Sequence, residues 1–167
     1  KRALLADPTF AGGDYSKTPE VGLRALGRVW SAWALSQQFY REGLYSKMGF
    51  DDLNRFLIDF WEGFWIGLDA NNLLSQLHTW QTADISLTPG FDGDLEKALG
   101  AIKARTVQSP GQKDLYFPPE DMAWEAEQMP DAECRPIPGP WGHFSEVGID
   151  PDCNAFLGNT IRKLLSS

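Results

Sequence analysis

The sequence predicts an α/β protein in which a layer of helices precedes the closing part of a doubly wound parallel sheet. Three amphipathic helical segments follow one another between residues 18 and 86 without a strand between them. Such a series favours a helical cap or a helical interface over part of a sheet. From residue 87 onward, helical and strand-like segments alternate, and in folds of this kind ligands bind beyond the carboxyl ends of the strands.

Composition narrows the class of protein further. The 167 residues are 43% apolar, with seven Trp and ten Phe, which suits one packed domain or part of a larger one. The net charge of -8 and the lack of a basic run argue against nucleic acid as a partner. Apolar stretches end well short of the ~20 residues that a membrane span needs, so we expect a soluble, cytoplasmic protein. The chain begins with Lys1 rather than Met, and we expect a processed product or a fragment of a longer polypeptide.

The first 17 residues are expected to form a turn-rich connector. They contain Asp-Pro at 7–8 and Gly-Gly-Asp-Tyr at 12–15, combinations that favour turns. A helix should follow, because Thr18 can cap it and Pro19 suits its first position. Its predicted apolar stripe consists of Leu23, Leu26, Trp30 and Trp33.

Two more helices complete the predicted helical layer. The second opens at Asp51, and its apolar side chains recur at the spacing of a helix face, the clearest amphipathic pattern in the chain. These side chains are Leu53, Phe56, Leu57, Phe60, Trp61 and Phe64. The third helix begins near Asp69 and is expected to turn Leu73, Leu77 and Trp80 inward.

The second half is predicted to contain a strand–helix–strand unit flanked by two helices. The strands are expected over residues 104–108 and 133–137, and the helix between them over residues 119–129. The first flanking helix begins at Asp94 and the last is capped by Asp150. The side chains expected to face inward from these two helices are Leu95, Leu99, Ile102, Phe156, Ile161, Leu164 and Leu165.

An acid and a histidine follow the two predicted strands. Asp114 comes after the first strand, and His143 ends the segment 138–143 (PGPWGH), whose prolines and glycines predict a rigid turn. One helix and one strand separate them, the reach needed to bring two neighbouring strand-end loops together. Such a pair would be two members of a hydrolytic triad. The alternative for Asp114 is a loop carboxylate that accepts backbone hydrogen bonds.

The sequence offers no nucleophile to complete such a triad. No Gly-x-Ser-x-Gly elbow occurs in the 167 residues. Ser145 is too close to His143 in a tight loop, and Ser109 lacks the strand–turn–helix context. The chain alone is therefore expected to be inactive.

The remaining chemically active side chains are expected to be structural. Cys134 and Cys153 form no Cys-x-x-Cys pair and lack partners at metal spacing, so neither a disulfide nor a metal site is expected. His78 is interpreted as a structural histidine of the helical layer. The Trp and Phe stripes are interpreted as packing of that layer or as a dimer seam.

The residues resemble those of the homoserine O-acetyltransferase-like α/β-hydrolase superfamily, along its C-terminal half. The matching marks are, in order, 7–8 (DP), 12–15 (GGDY), 68–72 (LDANN), 83–85 (ADI), 113–120 (KDLYFPPE) and 142–143 (GH). Their order and spacing agree from one end of the chain to the other. The Phe-Pro-Pro and Asp-Ala-Asn marks are the most specific.

The resemblance implies the C-terminal part of an α/β-hydrolase fold with an inserted helical cap. Residues 1–17 would be a connector from an N-terminal half, residues 18–86 the cap, and residues 87–167 the C-terminal part of the core. Asp114 and His143 would be the catalytic acid and base. The N-terminal half would carry most of the sheet, the oxyanion hole and the serine nucleophile.

The implied reaction is acyl transfer through a serine ester, to water in the hydrolases or to an alcohol in the transferases. The implied partners are a small ester or acyl substrate and a second copy of the chain, paired as a homodimer through the cap helices. No cofactor is expected, except acetyl-CoA as acyl donor in a transferase. Homoserine acetyltransferases place an aspartate after the catalytic histidine, whereas Phe144 follows His143 here, which favours the hydrolase branch.

A second hypothesis, of another class, stays open. In it the chain is a non-catalytic interaction or dimerisation module that uses the aromatic cap helices. Asp114 and His143 would then be relics without a catalytic role.

Overall fold

The computed structural model describes residues 1–166; Ser167, the end of the predicted core segment 87–167, lies outside them. The α-helices are α1 Arg2–Leu5, α2 Glu20–Ala34, α3 Gln37–Arg41, α4 Leu53–Arg55, α5 Gly63–Ile66, α6 Ala70–Thr82, α7 Leu95–Gly100, α8 Pro119–Gln128 and α9 Pro151–Leu165. The strands are β1 Thr106–Gln108 and β2 Ala132–Cys134. Phe56–Glu62 is π-helical, and 3₁₀ segments span Pro8–Gly13, Leu44–Met48, Ile85–Leu87 and Gly142–Glu146. None of the helices within residues 1–166 is both long and apolar enough to cross a membrane.

The chain divides into two compact units. The first comprises Lys1–Ala32 and Gly43–Ala83. The second comprises Trp33–Glu42 and the chain from Asp84 onward. Helices build the first unit, and the second contains both strands together with the predicted acid and histidine.

A buried carboxylate in the first unit ties the segment after α1 to the start of α2. The two oxygens of Asp7 accept hydrogen bonds from the backbone N–H groups of Thr9 and Gly22, both at 2.8 Å. The bond from Gly22 holds the pKa of Asp7 below its ordinary value. An ionised, fully bonded carboxylate of this kind fixes the direction in which the chain enters α2.

Helix α2 confirms the first predicted helix but corrects its inward stripe. Leu23 is buried as expected, whereas Trp33 is 53% exposed, so its inward assignment is wrong. The buried face continues instead through Gly27, Ser31 and Ala34. These side chains are small enough for neighbouring helices to approach closely, and a Cβ at position 27 would meet Trp61 backbone atoms within 3.2 Å.

The second predicted helix is present, but its middle is π-helical, and this changes which side chains face inward. In a π-helix the hydrogen bonds join residues five apart rather than four. The buried residues Phe56 and Trp61 are accordingly five residues apart, and Trp65 follows Trp61 by four. Phe64 is 59% exposed and Leu53 is also exposed, so neither end of the predicted apolar face is buried.

Helix α6 confirms the third predicted helix. Asp69 caps it, since one carboxylate oxygen accepts a backbone N–H of the first turn at 2.8 Å and the other accepts the Tyr15 hydroxyl at 2.5 Å. Leu73 is buried, whereas Trp80 is exposed. His78 is exposed on this helix, rather than packed in the helical layer.

The second unit contains the predicted strand–helix–strand arrangement. Strands β1 and β2 are parallel neighbours with Thr106 opposite Ala132, and α8 connects them. The pairing extends past both strands through a bridge between Gly111 and Ile137, where the Gln112 N–H donates to the Ile137 carbonyl at 2.8 Å. This extension confirms two adjacent parallel strands, each shorter than predicted, whose loops leave the same edge.

The flanking helices α7 and α9 exist as predicted, with different inward faces. Leu99 of α7 is buried, but Leu95 is exposed. In α9 the buried side chains are Cys153 and Thr160, seven residues apart on one helical face. Ile161 and Leu165 lie off that face and are exposed, Leu165 by 80%, so their inward assignments are wrong.

Candidate active site

Asp114 and His143 meet at the edge of the sheet where both strands end. Asp114 follows the Gly111–Ile137 bridge on the β1 side, and His143 follows it on the β2 side, in the 3₁₀ segment Gly142–Glu146. His143 Nδ1 lies 2.9 Å from Asp114 Oδ2. The structure therefore brings together the two residues that the sequence singled out.

Asp114 is buried and accepts three hydrogen bonds. Its exposed fraction is 6%; Oδ1 accepts the backbone N–H groups of Tyr116 at 2.8 Å and Phe117 at 3.2 Å, and Oδ2 accepts from His143. Burial raises the pKa of Asp114, but the bonds from His143 and the two N–H groups outweigh it and leave the pKa below its ordinary value. Asp114 therefore also accepts backbone hydrogen bonds in its loop, as the alternative interpretation predicted, and it does so through Oδ1.

The contact with Asp114 gives His143 a defined tautomer. The hydrogen bond to Asp114 raises the pKa of His143, burial opposes it, and the charges of Asp114 and Glu146 add to the increase. Because a carboxylate accepts at Nδ1, the proton of the neutral ring belongs on Nδ1 and Nε2 carries the lone pair. The rings of Tyr116 and Phe117 pack on the imidazole, with centroids 5.1 and 5.5 Å away.

Two glycines allow the two loops to approach. A Cβ at Gly111 would lie 2.1 Å from the carbonyl oxygen of Gly142, so no larger residue fits without backbone movement. Gly142 has φ +59°, and a Cβ there would lie 2.9 Å from the backbone nitrogen of Ser36. Glycine is therefore required at both positions, for close approach at the first and for close approach and a left-handed backbone at the second.

A serine outside the predicted site also fixes the histidine loop. Ser36 caps α3 by accepting the Phe39 N–H at 3.0 Å, and its hydroxyl donates to the carbonyl of Pro140. No sequence pattern indicates this bond, since 104 residues separate the two partners. The only local signal was that serine is a good helix cap.

The two serines near the site have the environments of structural groups. The Ser145 hydroxyl is buried and donates to the Gly142 carbonyl at 2.8 Å. The Ser109 hydroxyl is buried without a hydrogen-bond partner among residues 1–166. Among those residues, His143 has no serine or cysteine among its hydrogen-bond partners.

Thiol and metal chemistry find no support in this part of the chain. Cys134 and Cys153 are both free, and burial raises the pKa of each thiol, to about 11 for Cys153. The thiolate needed for nucleophilic attack is therefore disfavoured. In the described part of the chain, no three His, Cys, Asp or Glu side chains are grouped so that they could hold a metal ion.

A parallel strand–helix–strand unit with an acid and a histidine at the carboxyl ends of its strands defines the C-terminal part of an α/β-hydrolase fold. No family model matches the chain. It is 34% identical over 167 residues to the ethyl acetate hydrolase of Pseudomonas veronii, an alignment that covers 99% of this chain and 47% of the relative.

Solved structures agree with this class. The structure of an acetylester hydrolase from Corynebacterium glutamicum matches with a TM-score of 0.94 and 31% identity, covering 99% of this chain and 48% of the other. The homoserine O-acetyltransferase from Bacillus anthracis matches with a TM-score of 0.79 and 23% identity, covering 98% of this chain and 46% of the other, and this likeness concerns the fold alone.

These similarities confirm the resemblance to the homoserine O-acetyltransferase-like α/β-hydrolases and favour the hydrolase branch, as Phe144 suggested. The chain spans about half the length of the relatives that it matches. The similarity is therefore to part of each relative.

Proposed function

We propose that this chain supplies the acid and the base of a serine-dependent ester hydrolase. The observation that carries the proposal is the hydrogen bond between His143 Nδ1 and Asp114 Oδ2. It leaves Nε2 as the ring atom able to take the proton of a serine hydroxyl as that hydroxyl attacks an ester carbonyl. The protonated ring then gives the proton to the departing alcohol, and the acyl group stays on the serine.

The second half of the cycle uses the same two residues. His143 takes a proton from water, the water oxygen attacks the acyl-serine ester, and the proton returns to the serine oxygen as the acid leaves. Asp114 stabilises the imidazolium in both halves because it is ionised and accepts at Nδ1. The lowered pKa of Asp114 and the raised pKa of His143 both favour this arrangement of charges.

Short-chain esters are the substrate class that the similarities support best. One relative is an ethyl acetate hydrolase and one solved neighbour is an acetylester hydrolase. The acceptor would then be water, and no cofactor takes part. Acyl transfer from acetyl-CoA is the variant that Phe144 disfavours, since an apolar side chain cannot pair with the ammonium group of an amino acid such as homoserine.

The nucleophile is proposed to lie on a further segment of polypeptide, the N-terminal half. In residues 1–166, β1 has one hydrogen-bonded strand neighbour, β2. At the end of β1 and just after it, the buried Gln108 Oε1 and Ser109 Oγ have no partner within the described residues. A buried polar atom without a partner costs about 1–3 kcal/mol, so a segment that pairs with β1 and satisfies these atoms would be stabilised there.

Substitution of the two residues in the complete protein tests the proposal. Asp114→Asn and His143→Ala are each expected to lower kcat for a short-chain ester by about 10³-fold or more. His78→Ala and Asp121→Asn are matched controls, because they replace the other histidine and an exposed carboxylate, and they should retain activity. Turnover that survives both site substitutions would end the proposal.

The interaction-module hypothesis keeps one observation in its favour. Val21, Val29 and Trp33 of α2 are all more than half exposed, and their spacing places them on one side of the helix. A homodimer paired through cap helices would cover such side chains. Sedimentation of the chain with Val29→Glu and Trp33→Glu tests this. A wild-type dimer that becomes monomeric would support pairing through α2, and a wild-type monomer would argue against it.

A further inference from the structure

The loop that carries His143 is anchored at a point outside the acid–histidine pair. Trp141 is 2% exposed, and its indole packs against Phe39 with a centroid separation of 5.3 Å. The indole Nε1–H donates to Asp150 Oδ2 at 2.9 Å. Asp150 therefore holds a buried tryptophan that lies two residues before His143.

The two carboxylate oxygens of Asp150 accept hydrogen bonds from different partners. Its Oδ1 accepts the backbone N–H groups of Asp152 at 3.0 Å and Cys153 at 3.1 Å, which caps α9. Its Oδ2 is left for Trp141. Since α9 has 15 residues, the indole is tied to one of the longest helices of the chain.

The backbone connects the anchored Trp141 to the turn that contains His143. It precedes the 3₁₀ segment Gly142–Glu146, and its carbonyl accepts the Phe144 N–H at 3.1 Å. That bond closes the turn that contains His143. A shift of the indole would therefore move the turn, and the imidazole with it, relative to Asp114.

We infer that Asp150 is a positioning residue for His143 and acts through the indole of Trp141. Its effect on turnover rests on the function proposed above, whereas its effect on the geometry of His143 does not. Neither residue touches the imidazole–carboxylate pair through any hydrogen bond that the structure contains among residues 1–166.

Asp150→Asn separates the two sets of hydrogen bonds that this side chain accepts. Asparagine is as good a helix cap as aspartate, so the bonds to Asp152 and Cys153 can persist through the amide oxygen. The amide NH₂ then faces the indole N–H, and two donors cannot bond to each other. The substitution therefore removes the bond to Trp141 while it preserves the size of the side chain and the cap.

Two control variants and one complementary variant isolate the indole bond. Asp94→Asn changes a carboxylate that caps α7 at 2.9 Å from the Lys97 N–H, so it reports the effect of capping alone. Asp152→Asn removes a neighbouring negative charge from α9 and leaves the bond to Trp141 in place. Trp141→Phe removes the donor instead of the acceptor, and the double variant with Asp150→Asn completes a double-mutant cycle.

The readout is the proton NMR spectrum of the complete protein, in which the His143 ring signals are those that His143→Ala removes. A pH titration of these ring protons gives the pKa of His143. The charged groups that act on His143 are Asp114 and Glu146, and all the variants retain both. The Nδ1–H signal reports the bond to Asp114 directly.

Asp150→Asn and Trp141→Phe are each expected to weaken the Nδ1–H signal and to move the pKa of His143 back toward its ordinary value. Asp94→Asn and Asp152→Asn should show neither change, and the double variant should resemble the single ones. In the complete protein, Asp150→Asn should lower kcat by roughly tenfold to a hundredfold with KM little changed. If Asp150→Asn fails to fold, Trp141→Phe provides the same readout.

An unchanged His143 signal and titration in folded Asp150→Asn would overturn the inference. A changed signal with unchanged turnover of the complete protein would preserve the positioning of His143 and argue against its catalytic role. The two failures are thus distinguishable, because the first is seen in the NMR spectrum and the second only in the assay of ester hydrolysis.

Discussion

Gly111→Ala provides the most quantitative test of how the two loops are brought together. The added Cβ would lie 2.1 Å from the Gly142 carbonyl oxygen and 2.7 Å from the Ser145 hydroxyl. Ordinary contacts of a Cβ begin near 3.4 Å, so the two backbones must separate by about 1.3 Å in a close-packed interior. The carbonyl cannot rotate away like a side chain, because it already accepts from Ser145.

The expected cost combines overpacking with the loss of a neighbouring hydrogen bond. Overpacking costs typically 1–3 kcal/mol. Separation of the backbones also strains the bridge to Ile137, where the Gln112 N–H donates at 2.8 Å, a bond worth about 1 kcal/mol. A total of about 3 kcal/mol corresponds to a fall in Tm of roughly 10 °C for a chain of this size.

Thermal unfolding followed by far-UV circular dichroism measures this effect. Gly100→Ala is the matched control, because a Cβ there makes only an ordinary contact, at 3.6 Å from the Gln128 carbonyl oxygen. That substitution, at the end of α7, should be neutral or stabilise by up to ~1 kcal/mol. A Tm for Gly111→Ala equal to that of the wild type would show that the two loops do not approach as closely as described.

Two further predictions concern the titration of the acid–histidine pair and the π-helical segment. The raised pKa of His143 stabilises the folded chain fully below the ordinary value of 6.5, and this stabilisation is lost as the pH rises through the raised pKa. The lowered pKa of Asp114 stabilises the folded chain above the ordinary value of 3.8, and this stabilisation is lost as the pH falls through the lowered pKa. The difference in unfolding free energy between wild type and His143→Gln should therefore be largest between pH 3.8 and pH 6.5. A difference that does not change from pH 3 to 9 would contradict the pairing of His143 with Asp114. For the π-helical segment, urea unfolding should show that Trp65→Ala lowers the free energy of unfolding by about 3–5 kcal/mol. Exposed Phe64→Ala should lower it by less than about 1 kcal/mol. The reverse order would indicate that Phe64, and not Trp65, is the buried residue.

The site could be predicted from the sequence because its parts are set by local order. Two short strands joined by a helix of about ten residues must run parallel, and the loops after parallel neighbours leave the same edge. Asp114 and His143 follow those strands, so their approach required no knowledge of distant contacts. The resemblance to a superfamily then gave the pair an expected chemistry.

The parts that could not be predicted depend on contacts between distant residues or on a change of helical period. A π-helical turn leaves no composition signal, and it shifted the buried positions from Phe64 to Trp65. The inward face of α9 was misassigned because its buried positions include Thr160, a polar residue, while Leu165 near its end is exposed. The bond from Ser36 to Pro140 joins residues far apart in the chain, and nothing local specifies it.

We propose that this chain holds the acid and base of a hydrolase whose serine nucleophile lies on another segment. Labelling of the complete protein with a serine-reactive phosphonate, followed by peptide mapping, locates that serine. We predict that the label attaches to one serine outside residues 1–167 and that His143→Ala slows the labelling by orders of magnitude. Labelling of Ser109 or Ser145, or labelling at an unchanged rate in His143→Ala, would contradict this role of His143.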